Sequence, residues 1–559
     1  MKIFSIHNGI NSSAAYYANG KILEAVSEER FNKIKNYNGM PLMCINYILK
    51  KYKLSFSSFD KIIYPTCALL KIPKEIEANI KNRYDNLETT YLKKKFTHRI
   101  STEEKWAKRH MGQFLRYSKK NNFFNKVELI SHHKAHAYSA YSFSPFKESL
   151  VVTFDGKGDF KSSTVSEVKN KTWKNLDYKS TFDSLGYFYG NVTQVLGFKS
   201  ERHEGKTTGL AAFGKKTSLI RYFESFIKIK NNDFSINFCK DYMPYFSTKN
   251  QLPNFYKKLL KYNKKDIAHA AQYILEKAIL SYIKKFLNNK KKQNICLAGG
   301  IFANVTLNNK ILSLPGVKNI FIQPAMSDTG LPLGGIYAYL SKNSVKQNFN
   351  FNNVFLGPEF SKNQIRNKLN KEKLAYKEVN VSDEILNSLN NKKIIGLFQG
   401  RMEFGPRALC NRSIIYHAKD KTINDWLNVR LKRSEFMPFA PVTIEDYALD
   451  CFIGWKHDHF ASEFMTLTYK CTKEVIKNYP ACVHIDNTAR PQIIYKKRNP
   501  KSYKIFKDYF KKSKQKLLLN TSFNMHEKPI LCDLDDAVKA IRNKTVDVIF
   551  IENFMISSN

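Results

Sequence analysis

The 559-residue chain has no apolar run approaching the ~18–20 residues of a membrane-spanning helix, so none is expected. Cysteine is sparse. Nine thiols (44, 67, 239, 296, 410, 451, 471, 482 and 532) lie scattered without a CxxC pair, which argues against a zinc ribbon or a disulfide framework. They read as reduced thiols of a cytoplasmic protein. The opening Met1-Lys-Ile-Phe-Ser-Ile-His7 turns polar too soon for a secretory signal. Acidic residues are few: 48 Asp and Glu face 92 Lys and Arg, a formal charge of +44. Such an excess favours polyanionic partners, whether nucleic acid, anionic membrane or phosphorylated small molecules. The lysines are nevertheless dispersed among Asn and Ile. Their densest cluster, Lys496 to Lys516, interleaves with Tyr503, Phe506, Tyr509 and Phe510. A solvated helix with its aromatics turned inward is the favoured reading there, and RNA or lipid binding the alternative.

What is present is enough apolar residue, 43% with 14% aromatic, to build two or more globular domains. Residues 2–27 read as strand, polar turn, strand, an Asn19-Gly20 hairpin turn and strand. Residues 149–178 repeat the pattern, with Asp155-Gly-Lys-Gly-Asp159 as the first turn. Two such starts predict a duplicated α/β domain with a cleft between its halves, by analogy with actin, Hsp70 and sugar kinases. Ser341–Asn353 is the candidate linker, dividing residues 1–345 from an α+β domain over 354–559.

Three constellations carry chemistry. His132 and His136 stand four apart on a predicted helix, a spacing that puts both imidazoles on one face. Asp155 and Asp328 are the carboxylates available to complete a metal site, for which Fe, Zn and Mn are all open. Glycine-rich junctions at Ala298-Gly-Gly-Ile-Phe-Ala-Asn304 and Ser327-Asp-Thr-Gly-Leu-Pro-Leu-Gly-Gly335 are generic phosphate turns. Finally, Arg401, Arg407 and Arg412 surround Glu403 in Gly400-Arg-Met-Glu-Phe-Gly-Pro-Arg-Ala-Leu-Cys-Asn-Arg-Ser413, a set suited to bidentate anion recognition.

That last stretch closely resembles the GRMEFGPRALGNRSI signature of the O-carbamoyltransferases, a family that modifies nodulation factors, aminoglycosides and cephalosporins. The resemblance extends along most of the chain. His132-His-Lys-Ala-His-Ala-Tyr-Ser-Ala-Tyr141 and the aspartates of Asp155-Gly-Lys-Gly-Asp159 and Ser327-Asp-Thr-Gly330 are similar to the metal ligands of its N-terminal domain. That domain is shared with the tRNA threonylcarbamoyladenosine transferases. The resemblance implies an actin/Hsp70/sugar-kinase (ASKHA) fold with one divalent metal on His132, His136, Asp155 and Asp328. His132 and His136 would also serve catalysis. It implies nucleotide contacts at Gly205, Lys206, Gly209, Gly299, Gly300, Asn304 and Gly330. Lys35, closing a segment like the family's EERFxRxKH, would lie at the transfer site. His484-Ile-Asp-Asn-Thr-Ala-Arg-Pro-Gln492 and Leu519-Asn-Thr-Ser-Phe-Asn524 resemble the family's DGTARPQ and NTSFN. They imply a YrdC-like C-terminal domain binding carbamoyl phosphate and ATP through Arg401, Arg407, Arg412, Ser413, Lys432, Arg433, Arg490, Asn520, Thr521 and Ser522.

Three departures stand out. Ile10-Asn11 occupies the place of a common His-Asp pair, Cys410 replaces a glycine, and Met437 stands where many members carry arginine. The function expected is ATP-dependent transfer of a carbamoyl group to a hydroxyl of a saccharide or small molecule. A tRNA-modifying enzyme and a catalytically silent nucleotide-binding scaffold are the alternatives. The acceptor, the oligomeric state and any role of nucleic acid stay open.

Overall fold

A computed structural model describes residues 1–67, 74–244, 250–288, 291–345, 353–432 and 437–558. By their contacts, residues 1–22 and 38–351 form one compact unit, and residues 23–37 and 352–559 a second. Most of the candidate linker, residues 346–352, and Arg433 lie outside the described residues.

The first unit contains two sheets of identical topology. Strands β1 (Ile3–His7), β2 (Ser13–Ala18), β3 (Lys21–Ser27), β4 (Lys61–Tyr64) and β5 (Val127–Leu129) lie in the order β3-β2-β1-β4-β5. Strands β6 (Ser149–Gly158), β7 (Lys161–Lys169) and β8 (Thr172–Ser180) begin the second sheet. A separate hairpin follows, β9 (Ile227–Lys230) with β10 (Asp233–Ile236), and then β11 (Gln293–Ala298) and β12 (Val317–Ile322). The second sheet runs β8-β7-β6-β11-β12. In each, the first strand pairs antiparallel with the second and parallel with the fourth, and the fourth is parallel to the fifth. The hairpin turn is formed as expected: Asn19 and Gly20 have φ of 54° and 76°, the left-handed pair that a tight right-twisted hairpin requires.

One boundary differs from the sequence reading. The predicted turn beginning at Asp155 is instead a continuation of β6 to Gly158, with a register irregularity after Phe154. A bulge there re-aims side chains without ending the strand.

Two helices connect the sheets. His132–Tyr141 packs on β6 and β11, Leu331–Lys342 packs on β1, β2 and β4, and the helices pack on each other. His132–Tyr141 is buried at every position except Lys134, which explains its lack of an amphipathic stripe. The crossing is close enough that a Cβ on Gly334 would lie 1.7 Å from the carbonyl oxygen of Ala135.

The second unit is built on a mixed sheet. Its strands are β13 (Lys377–Glu378), β14 (Ile395–Phe398), β15 (Arg412–Tyr416), β16 (Ala440–Ile444), β20 (Gln492–Ile494), β21 (Leu518–Ser522), β22 (Val548–Ile551) and β23 (Phe554–Ser557). β17 (Phe452–Ile453), β18 (Tyr469–Cys471) and β19 (Thr488–Ala489) form a smaller sheet. The large sheet runs β13-β23-β22-β14-β15-β21-β16-β20. Residues 23–37, which begin within β3, group with this unit and make specific bonds in it. The Ala25 amide donates to the Leu356 carbonyl (3.1 Å), and Arg30 Nη2 to that of Gly405 (2.8 Å). Phe31 packs on Met402, Ala408, Ile530 and Cys532.

Helix Pro500–Ser513 buries Tyr503, Phe506, Tyr509 and Phe510, as the favoured reading of the basic cluster expected. Its lysines form ion pairs, Lys501 with Glu552 and Lys507 with Asp446 (3.1 Å). The aromatics therefore have no free faces on which bases could stack. Among the described residues, no helix is long and apolar enough to cross a membrane.

Candidate functional site

Helix His132–Tyr141, the short turn Asp328–Gly330 before helix Leu331–Lys342, and the end of β6 bring four side chains to one place in the first unit. His132 opens its helix, its backbone N–H held by Asp159 Oδ2 at 2.7 Å. His132 Nε2 lies 3.3 Å from Asp155 Oδ2 and 3.5 Å from Asp328 Oδ1; His136 Nε2 lies 3.8 and 3.4 Å from the same atoms. One ligand atom from each of the four falls within 4.8 Å of all the others. The sequence pattern thus corresponds to a real cluster.

Its chemistry fits a divalent cation. Two carboxylates converge, a repulsive arrangement unless positive charge lies between them. His136 is 0% exposed, and neither of its ring nitrogens has a hydrogen-bond partner. Burial alone would lower the His136 pKa, but Asp155 and Asp328 more than reverse this and raise it to about 9. Burial likewise favours a neutral Asp155, yet His132 and His136 hold its carboxyl well below the ordinary range. A cation would supply the charge that both residues call for, and the two-imidazole, two-carboxylate set suits Fe, Zn or Mn. Asp155 Oδ1 accepts the Gly300 amide at 3.0 Å, so one oxygen is fixed while the other faces the histidines.

The glycine turns border this cluster. Gly299 has φ +104°, and a Cβ there would lie 2.1 Å from the Phe154 carbonyl oxygen, so no other residue fits. Gly330, two residues after Asp328, is held by sterics alone, with the Ala325 carbonyl oxygen 2.4 Å from a would-be Cβ. Asn304, expected to touch nucleotide, caps the next helix by accepting the Leu307 amide (3.1 Å) and donates to Gln272 Oε1 (2.8 Å). Gly205, Lys206 and Gly209 lie on helix Glu204–Ala211, which packs on helix Lys264–Lys284. Lys35 is in a segment of the second unit.

One neighbour of the cluster was missed in the sequence. His7 ends β1, with Nε2 3.7 Å from Asp328 Oδ2, and burial pushes its pKa down to about 4 although Asp328 opposes this. The internal repeat held the signal. β1 and β6 occupy equivalent places in the two sheets, and His7 and Asp155 both lie toward the carboxyl ends of these strands.

In the second unit the arginine motif links β14 to β15. Glu403 is its centre: Oε1 accepts the amides of Leu409 (2.6 Å), Asn411 (3.2 Å) and Arg412 (3.1 Å). Four of the residues expected to touch phosphates make bonds within the protein. Arg412 is 0% exposed and donates to the carbonyls of Gln399 (2.8 Å), Asn411 (2.9 Å), Gly400 (3.3 Å) and Pro358 (3.2 Å). Arg401 donates to the carbonyls of Leu23, Leu356 and Gly357 and to Glu24. The Ser413 hydroxyl accepts the Cys410 amide (2.9 Å), and Asn520 donates to Gln492 Oε1 (2.6 Å). All four hold the loop together. Arg407, Arg490, Thr521 and Ser522 are partly exposed and Lys432 is exposed.

Cys410 has φ +74°, the left-handed region that the glycine of related sequences enters without cost. Cys410→Val is therefore expected to destabilise the chain by about 2 kcal/mol or more, because a β-branched residue fits this region worst. Cys410→Gly should be near neutral in urea denaturation, relief of strain offsetting the lost thiol packing.

A small cavity beside this loop is lined by Phe355, Leu409, Glu463, Gln492, Ile494 and Asn499. Burial raises the Glu463 pKa to about 7 despite its pairing with Arg498. A raised folded-state value favours the protonated form, so this contribution is complete below pH 4.5 and is lost as pH rises through 7. Glu463→Gln should thus gain roughly 2–3 kcal/mol relative to the parent between pH 4.5 and 8. Paired denaturation curves across that range test this, and parallel pH profiles would refute it.

Comparison with known proteins finds two family segments along the chain. The carbamoyltransferase N-terminus family matches residues 2–336 and the carbamoyltransferase C-terminus family residues 386–558. The chain belongs to the carbamoyltransferase family and is a transferase. It is 31% identical to an uncharacterized protein of Methanocaldococcus jannaschii, over 99% of both chains. It is 27% identical to the nodulation protein NolNO of Sinorhizobium fredii, over 99% of this chain and 79% of that one. The Acidaminococcus fermentans (R)-2-hydroxyglutaryl-CoA dehydratase component A covers 62% of this chain and 100% of its own at 13% identity. Its TM-score of 0.35 is too low to bear on the fold.

Proposed function

We propose that the chain is an ATP-dependent O-carbamoyltransferase acting in the cytoplasm, with an ASKHA-type first domain and a YrdC-like second domain. In the second, carbamoyl phosphate is hydrolysed to carbamate and phosphate. A carbamate oxygen then attacks the α-phosphorus of ATP, giving carbamoyl adenylate and releasing pyrophosphate. Arg407, Lys432, Arg490, Thr521 and Ser522 are the side chains assigned to the phosphates, where preorganised donors stabilise developing charge. Arg401, Arg412, Ser413 and Asn520 shape the loop that presents them.

The adenylate then donates its carbamoyl group in the first domain. An acceptor hydroxyl attacks the carbonyl carbon, the bond to the phosphate oxygen breaks, and AMP leaves as the O-carbamate forms. His132, His136, Asp155 and Asp328 would hold a divalent cation, which supplies Lewis-acid polarisation of a carbonyl when bound. Gly299, Gly300 and Gly330 allow backbone to approach the nucleotide closely. A saccharide or other small polyhydroxylated molecule is the proposed acceptor.

The observation that carries this reading is the His132–His136–Asp155–Asp328 cluster, formed in a chain that also contains both carbamoyltransferase segments. The test is pyrophosphate and AMP release from ATP by purified protein, with and without carbamoyl phosphate. Release that requires carbamoyl phosphate and falls in Arg490→Ala supports it. ATP turnover indifferent to carbamoyl phosphate would sink it.

A further inference from the structure

Asp328 turns its two carboxylate oxygens to different neighbours. Oδ1 lies 3.5 and 3.4 Å from the Nε2 atoms of His132 and His136, whereas Oδ2 lies 3.7 Å from His7 Nε2. The same His7 nitrogen is 3.1 Å from the Ile10 carbonyl oxygen. A carbonyl can only accept, so His7 Nε2 carries its hydrogen. The ring is folded over Gly9, where a Cβ would meet Cε1 at 2.7 Å and Nε2 at 2.9 Å. The missing side chain at position 9 is therefore a condition of the ring's placement.

We propose that His7 is a positioning residue of the cation site, its Nε2–H fixed by the Ile10 carbonyl and facing Asp328 Oδ2 so that Oδ1 stays turned toward His132 and His136. The inference rests on the reading of the four-residue cluster as a divalent-cation site. Asp155 has a matching device, since the Gly300 amide holds its outer oxygen. On Asp328 the corresponding oxygen, Oδ2, faces His7 Nε2 at 3.7 Å. A carboxylate ligand free to rotate loses both geometry and affinity, and outer partners of metal ligands typically contribute 10–100-fold in binding. Ile10 takes part through its main chain alone, so the side chain at that position need not be polar.

Cobalt(II), titrated into the metal-free 559-residue chain and followed by visible absorption, tests this. The parent should bind one equivalent. His7→Leu should bind about 10–100-fold more weakly with an unchanged band shape, because the four inner ligands persist. His7→Gln, which keeps an N–H at similar reach, should recover most of the affinity. Gly9→Ala should weaken binding while His7 is still present, by pushing the ring aside; it also serves if His7→Leu folds poorly. Parental affinity in both His7→Leu and Gly9→Ala would overturn the inference and leave the cation site standing. A changed band shape in His7→Leu would make His7 an inner ligand and overturn it too. No cobalt binding by the parent would remove the cation site itself, and this inference with it.

Discussion

Gly158→Ala is expected to weaken cation binding more than about 100-fold and to abolish carbamoyl transfer, with little change in overall fold. A Cβ at 158 would lie 2.1 Å from His132 Cδ2, 2.2 Å from Cγ and 2.7 Å from Nε2. His132 cannot retreat as a unit. Its backbone N–H is held by Asp159, and its helix is buried on nearly every side and locked against Gly334. The ring must swing away, removing one of four ligands. Carbamoyl-phosphate-dependent pyrophosphate release, assigned to the second domain, should survive. A variant that still binds cobalt(II) like the parent would refute the geometry described for β6.

Arg412→Met should be the most destabilising single change in the second unit, by more than about 3 kcal/mol. The guanidinium satisfies four backbone carbonyls and lies 3.7 Å over the Phe398 ring. Methionine keeps the volume but strands acceptors whose burial costs about 1–3 kcal/mol each, part of which water can recover. Arg412→Lys should fall between, since an ammonium cannot span the same acceptors. Urea denaturation measures this. Were Arg412 a ligand contact, stability would hold and the KM for carbamoyl phosphate would rise instead.

These cases mark where sequence patterns suffice. The duplicated sheets were legible because strand period, the Asn19-Gly20 turn and the repeat at 149–178 are all local signals. His132 and His136 were legible because helical spacing alone puts them together, and Asp155 and Asp328 because each ends a recognisable apolar strand or begins a glycine turn. The main-chain bonds of Arg401 and Arg412 were not. A guanidinium that binds phosphate and one that binds main-chain carbonyls use the same donors, and only tertiary contacts separate them. Cys410 was flagged for its glycine-like position, and its positive φ bears that out. His7 escaped notice because its partner is more than three hundred residues away.

The grouping of residues 23–37 with the second unit bears on the modularity of the chain. A gene cut at the candidate linker near 346–352 would look natural, with one α/β half on either side. The downstream fragment would then lack the Leu23 and Glu24 acceptors of Arg401, the Arg30 bond to Gly405 and the Phe31 side chain that covers Met402 and Ile530. It would begin life with Arg401 stripped of its carboxylate partner and with an uncovered apolar patch. Separation into two freely reassorting polypeptides therefore requires more than one cut, because the N-terminal gene product would carry away part of its neighbour's core. The fused gene is the arrangement this interleaving favours.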